Sequence, residues 1–404
     1  MPLQSTPATR APRRAARFRR VALGAAWAAA AVGAAFHLSE NATAAEVALA
    51  GPQQVLFDQR EDRCPEPDGP DAPAIAFRDA AGEMVLFATS FRNRAFVGPS
   101  LAGLRRDCRP RFQAARRPEP GMLDDRTWLH AVHTLDGVNV FALGSAGFMP
   151  SRHAGFACGA GGARTDCWYN GIVALRSGDG GASFRNDAPP PRHAFLAPPA
   201  PYDPSVRHPA GFITATNLVP WRGRVHTLVR RRGEPLEAGG TCLFRAARDD
   251  LSRWEMWDGS AFVAATVREA EGWRNLDTRC AGVGSPPLRP ARGLVLHEAS
   301  QTFLAVYEDR TPAGEGVFYR TSRDLVSWAP ARLLLPAKLR SSAGPDEPYI
   351  GYPSIIDEAS ADRNFGTAGA RAALLHTRIV PATGPRGQPA RSRQLVATPI
   401  AIAP

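Results

Sequence analysis

Two aspartates, Asp71 and Asp125, stand where a carboxylate could meet a bound molecule. Asp68 and Asp71 lie in the stretch Asp68-Gly69-Pro70-Asp71-Ala72-Pro73, directly ahead of the apolar run Ala74–Phe77. Asp124 and Asp125 lead into Arg126-Thr127-Trp128-Leu129-His130. A carboxylate at the mouth of a strand can take up a proton, hand one over or attack. The competing reading of Asp71 is a turn aspartate that only caps backbone N–H groups. For Asp125 it is a loop charge paired to Arg126. Arg92-Asn93-Arg94 offers forked donors suited to hydroxyls or a carboxylate. Trp128, Trp168 and Tyr169 offer flat apolar faces, and Asn170 and Asn217 offer amides that both donate and accept. The bland role for the aromatics is packing between layers.

Other chemistries lack their residues. His130 and His133 are an odd number of positions apart, so on a regular strand they point to opposite faces, and no third ligand is near. No metal and no cofactor are expected. His226, His297 and His376 fall in or beside strand-like runs and read as structural or exposed. Gly159-Ala160-Gly161-Gly162 lacks the strand–helix setting of a dinucleotide loop, and GxxxxGK(S/T), HExxH, GxSxG and CxxC do not occur.

These residues need elements to position them, and the chain reads as β throughout. Short strand-like runs recur at Met84–Thr89, Val138–Leu143, Gly171–Leu175, Val225–Val229, Thr302–Tyr307 and Gly316–Arg320, with turn signals between them. A unit of strand, acidic turn and aromatic repeats as Ser177–Phe184, Arg248–Trp254 and Ser322–Trp328, with the aromatics 70 and 74 residues apart. A period of about 72 residues fits about five units into the chain after residue 44, which predicts a radial array of four-stranded antiparallel blades. The expected fold class is therefore all-β, a five-bladed β-propeller. Its blades fall near 70–115, 125–187, 212–263, 285–335 and 349–401, with Val55-Leu56-Phe57 closing the last one. A pair of β-sandwiches competes but does not explain the period.

Composition sets the setting. The chain has 404 residues, a formal charge of +11, 37 Gly and 37 Pro. Arg10, Arg13, Arg14, Arg17, Arg19 and Arg20 precede the apolar run Val21–Phe36 and the small residues Ala42-Thr43-Ala44, so 1–44 reads as an export signal and 45–404 as one domain. No later run is long enough to cross a bilayer as a helix. The remaining arginines are scattered among acids, so no nucleic-acid partner is expected. Cys64, Cys108, Cys158, Cys167, Cys242 and Cys280 are expected to pair as sequence neighbours, 64–108, 158–167 and 242–280, in an oxidising compartment. Oligomeric state is open.

Ser177-Gly178-Asp179-Gly180-Gly181-Ala182-Ser183-Phe184 matches the sialidase-type Asp box, and Ser322–Trp328 resembles the SxDLxxW turn of five-bladed glycosidase propellers. Arg248–Trp254 follows the second pattern with arginine in place of its serine. The chain thus resembles the arabinanase, levansucrase and invertase superfamily, families 43 and 32 of the glycoside hydrolases. Within it, the stretches Cys167–Asn170, Cys242–Gly259, Tyr352-Pro353-Ser354 and Arg363-Asn364-Phe365 are similar to an exported propeller group of unassigned activity. The resemblance implies a carbohydrate ligand at the central depression. It makes Asp71 and Asp125 the first two catalytic aspartates, with Arg92, Asn93, Arg94, Trp128, Trp168, Tyr169, Asn170 and Asn217 around the sugar. Hydrolysis also needs an acid. No glutamate stands at the entry Thr214–Leu218, and Asp203, Asp346 and Glu347 are the substitutes. A non-catalytic carbohydrate- or protein-binding propeller is the alternative.

Overall fold

The computed structural model describes residues 45–404 except 63, 67, 157–166, 199–200, 206–208, 233–239, 270–271, 276–279 and 385–387. The export-signal reading of residues 1–44 and the pairing of Cys158 lie outside the described residues. The chain divides into Met1–Asn41 and Ala42–Pro404, and every described residue falls in the second unit.

That unit is all-β, with only three short 3₁₀ turns among the described residues. Its strands follow one another in five antiparallel runs. The first is Pro70–Arg78, Met84–Thr89, Arg94–Gly98 and Arg105–Pro110, paired in sequence order. The second joins Thr127–Thr134, Val140–Phe148 and Tyr169–Ser177. The third runs Ala210–Ala215, Arg224–Arg232, Thr241–Ala247 and Trp254–Trp257. The fourth is Gly293–His297, Thr302–Thr311, Gly314–Ser322 and Arg332–Pro336. The fifth is Tyr349–Ile356, Arg371–Thr383 and Pro389–Ala403, and it is completed from the other end of the chain. Both Glu46–Leu49 and Gln54–Asp58 pair with Pro389–Ala403, with Val55 opposite Val396.

The second and third runs are fused, which the repeat spacing did not foretell. Ala210 and Gly211 pair in parallel with Tyr169 and Asn170. Gly211 permits this because its φ is +94° and a Cβ there would lie 2.1 Å from the Asn170 carbonyl oxygen.

The repeated turns explain how neighbouring runs pack. In Ser177–Phe184, the Asp179 carboxylate accepts from the Ser183 amide at 2.9 Å and its hydroxyl at 2.6 Å, while Ser177 Oγ accepts from the Gly181 amide at 2.9 Å. In Ser322–Trp328, Asp324 accepts from the Val326 and Ser327 amides at 2.8 and 2.7 Å. Each turn delivers its aromatic to the preceding run. Phe184 meets Phe87 edge-on at 5.9 Å, and Trp254 stacks on Phe141 at 6.4 Å. Trp328 joins a core cluster containing Leu228 and Leu243 of the third run.

Asparagine amides reinforce the same seams by imitating a strand. Asn217 donates to the Leu294 carbonyl at 2.6 Å and accepts from its amide at 3.0 Å, joining the third run to the fourth. Asn93 does this between the first and second, donating to Thr127 O at 2.8 Å and accepting from Leu129 N at 2.9 Å.

Two of the expected disulfides, Cys64–Cys108 and Cys242–Cys280, are present, and Cys167 is also disulfide-bonded. Cys64–Cys108 closes a loop of 44 residues around the entry to the first run. Replacing both cysteines by serine should cost about 2–4 kcal/mol through the freer unfolded chain. Urea melts of the oxidised protein and the double variant would measure it, and equal midpoints would refute it.

Candidate functional site

One cavity gathers carboxylates, arginines and tyrosines from three runs. Arg292 immediately precedes the fourth run, and Glu308 lies near the end of its second strand, so the hairpin brings them face to face. Arg292 Nε lies 2.9 Å from Glu308 Oε2. Tyr352, in the first strand of the fifth run, then links two carboxylates. Its amide donates to Glu308 Oε1 at 2.7 Å and its phenol donates to Asp71 Oδ1 at 3.0 Å. Arg393 completes the chain, donating to Asp71 Oδ1 at 2.5 Å and to the Pro70 carbonyl at 2.7 Å.

Tyr352 adopts this pose at a break in the ladder between Gly351 and Ser354, with φ +59°. A bulky side chain in the left-handed region costs of order 1–3 kcal/mol and persists where the surroundings demand it. Here they are the two carboxylates gripping opposite ends of the residue. The cavity beside it measures about 810 Å³, and its wall includes Arg230, Arg232, Arg289, Arg340 and Tyr349 besides Arg292, Glu308, Tyr352 and Arg393.

The electrostatics follow from burial and pairing. Burial pushes the Glu308 carboxyl up, but the Arg292 charge and hydrogen bond outweigh it, so its pKa falls below the ordinary glutamate value. Burial, then the Asp71 charge, raises the Tyr352 phenol well above its usual range, so it remains a neutral donor. Burial, then the charges of Arg292 and Arg232, pushes Arg230 down to about 9. The site thus holds Glu308 as an anion, Tyr352 as a phenol and an excess of arginine.

Of the residues singled out in the sequence, Asp71 belongs to this cluster. Asp125 is buried elsewhere: it accepts from the Met149 amide at 3.0 Å, and His153 Nε2 lies 3.1 Å away but out of line for a hydrogen bond. Trp128 and Trp168 are half-buried and stack at 6.3 Å, with Phe91 edge-on to Trp128, outside the lining of the Tyr352 cavity. Arg92 and Arg94 both pair with Glu66, and Arg94 also reaches Asp68 at 3.4 Å. Asn93 and Asn217 spend their amides on neighbouring strands, as described above. Asn170 donates to the Ala210 carbonyl at 3.3 Å, and Tyr169 is buried edge-on to Tyr202. Asp203 and Glu347 cap local turns through Ser205 N and Gly344 N, and Asp346 is exposed. His130 occupies a bulge between Leu129 and Ala131, so the simple alternation of faces does not apply to it. Among the described residues, no group of three metal-ligating side chains comes together.

The sequence reading missed Glu308, Arg292, Tyr352, Arg393 and Arg230. Glu308 had a signal: it ends the apolar run Thr302–Tyr307 as Glu308-Asp309-Arg310. The search for a glutamate stopped at the entry to the third run, whereas this one sits on the fourth.

No protein-family model and no curated protein matches the sequence. Among solved structures, the catalytic domain of the Coprinopsis cinerea GH62 α-L-arabinofuranosidase is similar at 10% identity and TM-score 0.42, over 88% of this chain and 97% of that one. The endo-arabinase of Bacteroides thetaiotaomicron gives 12% and 0.45 over 83% and 95%. A glycosyl hydrolase from Bacteroides ovatus gives 9% and 0.43 over 83% and 84%.

Proposed function

We propose that the chain is an exported five-bladed propeller that recognises a glycan in the cavity at Tyr352. The five successive antiparallel runs, closed by strands from both ends of the chain, support the propeller reading. The disulfides support export to an oxidising compartment. The observation that carries recognition is the cavity itself, where Glu308, Tyr352 and three paired arginines present fixed donors and acceptors beside Tyr349, with Asp71 holding Tyr352 and Arg393 in place. Carboxylate and guanidinium pairs held rigidly by one another suit the hydroxyl pairs of a sugar.

A second reading, glycoside hydrolysis, is favoured by the presence of Asp71 and Glu308 in one cluster, since that reaction uses two carboxyl groups. In it Glu308, kept ionised by Arg292, is the base or nucleophile. Asp71 is paired to Arg393, so proton delivery is the role this cluster fills least well. Asp125, bound to Met149 and beside His153, serves in this reading to fix the entry of the second blade.

Thermal shift and product analysis against a panel of neutral and acidic glycans, run on wild type, Glu308→Gln and Asp71→Asn, test both. Recognition predicts that a panel member raises Tm in wild type and raises it less in either variant. Hydrolysis adds sugar release that falls by roughly 100- to 10,000-fold in Glu308→Gln. No stabilisation by any member would refute the recognition reading.

A further inference from the structure

The cavity holds more positive charge than recognition of neutral hydroxyls requires. Three of its arginines are matched: Arg292 by Glu308, Arg393 by Asp71, and Arg289 by Asp309 at 3.1 Å. Arg230, Arg232 and Arg340 line the same wall, and none of the three has a carboxylate within 4 Å among the described residues. Arg230 and Arg232 are two residues apart on the strand Arg224–Arg232, so both present to one face. They are half-buried, and burial first, then the nearby charge of Arg292, depresses the pKa of each.

A second cavity, of about 720 Å³, lies against the first. Arg230, Arg232 and Arg289 line both, together with Pro290 and Asp309. Two of the unmatched arginines, Arg230 and Arg232, therefore stand at the junction of two adjoining hollows, while Arg340 lines the first alone. Like charges gathered on low-dielectric walls oppose folding unless an anion meets them, and such a concentration focuses potential on an incoming anion. The planar fork of a guanidinium matches a carboxylate in two parallel hydrogen bonds.

We propose that this junction binds the carboxylates of an acidic oligosaccharide, with successive sugars of one uronate chain occupying the two cavities. The proposal rests on the glycan reading of the Tyr352 cavity and narrows its ligand to a class. Arg230 and Arg232 read the acid group, while Glu308 and Tyr352 face the sugar hydroxyls and Asp71 holds Tyr352.

The test compares a panel of oligouronates with the same oligosaccharides after reduction of their carboxyl groups to alcohols. Binding to wild type and to an Arg230→Gln/Arg232→Gln variant is measured by calorimetry. The expected result is at least tenfold tighter binding of an oligouronate than of its reduced form, a ratio that the variant abolishes. The variant's own melting temperature should stay level or rise, since it loses mutually repelling charges. Equal binding of acidic and reduced forms would overturn the proposal and leave glycan recognition standing. Equal binding of a sulfated oligosaccharide or of a single-stranded oligonucleotide would overturn it in favour of general polyanion adhesion. Failure of wild type to bind either form, with its melting intact, would overturn both readings.

Discussion

Between pH 6.5 and 4 the protein should lose stability steeply, starting before its carboxylates protonate. Three histidines on interior strands drive this. His130, His226 and His376 are each at most 6% exposed, and burial is the main cause that holds their pKa values down, to about 3, 3 and 4. The nearby charges of Arg292, Arg245 and Arg378 respectively add to the effect. In the unfolded chain each imidazole takes a proton near pH 6.5. Below that value the unfolded state binds more protons than the folded one, so acid favours unfolding. The stability is fully present above about pH 6.5 and is lost as pH falls toward the folded values. Each such group contributes a slope of about 1.4 kcal/mol per pH unit, so the three together give about 4 kcal/mol per unit between roughly pH 5.5 and 4, and His133, His193 and His297, also held down by burial, add to it.

Carboxylates act later. Asp58, held below its ordinary range chiefly by its hydrogen bond to Arg60, contributes only as pH falls under about 4. Urea melts at half-unit pH intervals from 7.5 to 4 would show the trend, and a flat profile between 6.5 and 4.5 would refute it. His376→Leu should remove about 1.4 kcal/mol per pH unit of the slope. That variant should also be no less stable at neutral pH, because neither ring nitrogen of His376 has a hydrogen-bond partner among the described residues.

The parts legible in the sequence are those set by local patterns. Alternating apolar runs, acidic turns and cysteine spacing placed the strands of each run, the turns at Ser177–Phe184 and Ser322–Trp328, and the disulfides Cys64–Cys108 and Cys242–Cys280. The candidate site was legible only at Asp71. Glu308, Tyr352 and Arg393 reach it from segments hundreds of residues away, and nothing local marks that meeting. Asn93 and Asn217 show the opposite difficulty. An amide that both donates and accepts serves a sugar hydroxyl or a strand edge equally well, and residue type does not say which. The same ambiguity covers Arg92 and Arg94, whose forked donors close on Glu66 within the protein.

The segment Asp357–Gly369 should prove the most sensitive linker in the fold, and Asn364 its most costly residue to lose. Although it belongs to the fifth run, it bonds to others. Arg363 Nη1 donates to the carbonyls of Arg78 and Asp79 in the first run, at 3.0 and 2.6 Å. The Asn364 amide pairs with Thr134 at the end of the second, accepting from its N–H at 2.8 Å and donating to its carbonyl at 3.0 Å. Thr367 and Ala368 pair in parallel with Leu296 and His297 of the fourth. A Cβ on Gly366 would lie 2.6 Å from Pro220 and 2.9 Å from the Leu218 carbonyl, both on the third run's side, so the backbone approaches closely there too.

One short segment thus ties its own run to four others, and Asn364 is its buried link to the second. Asn364→Leu keeps the volume but leaves the Thr134 N–H and carbonyl without partners. Each unsatisfied buried group costs about 1–3 kcal/mol, so the variant should lose about 2–6 kcal/mol. Asn364→Asp should fall between, since it can still accept from Thr134 N–H but cannot donate to the carbonyl. Hydrogen exchange separates this from a general loosening: the Thr134 amide should lose protection first in Asn364→Leu, while amides in the interior of Arg371–Thr383 follow only at global unfolding. Equal melting of wild type and Asn364→Leu would mean that the strands hold the runs together without this link.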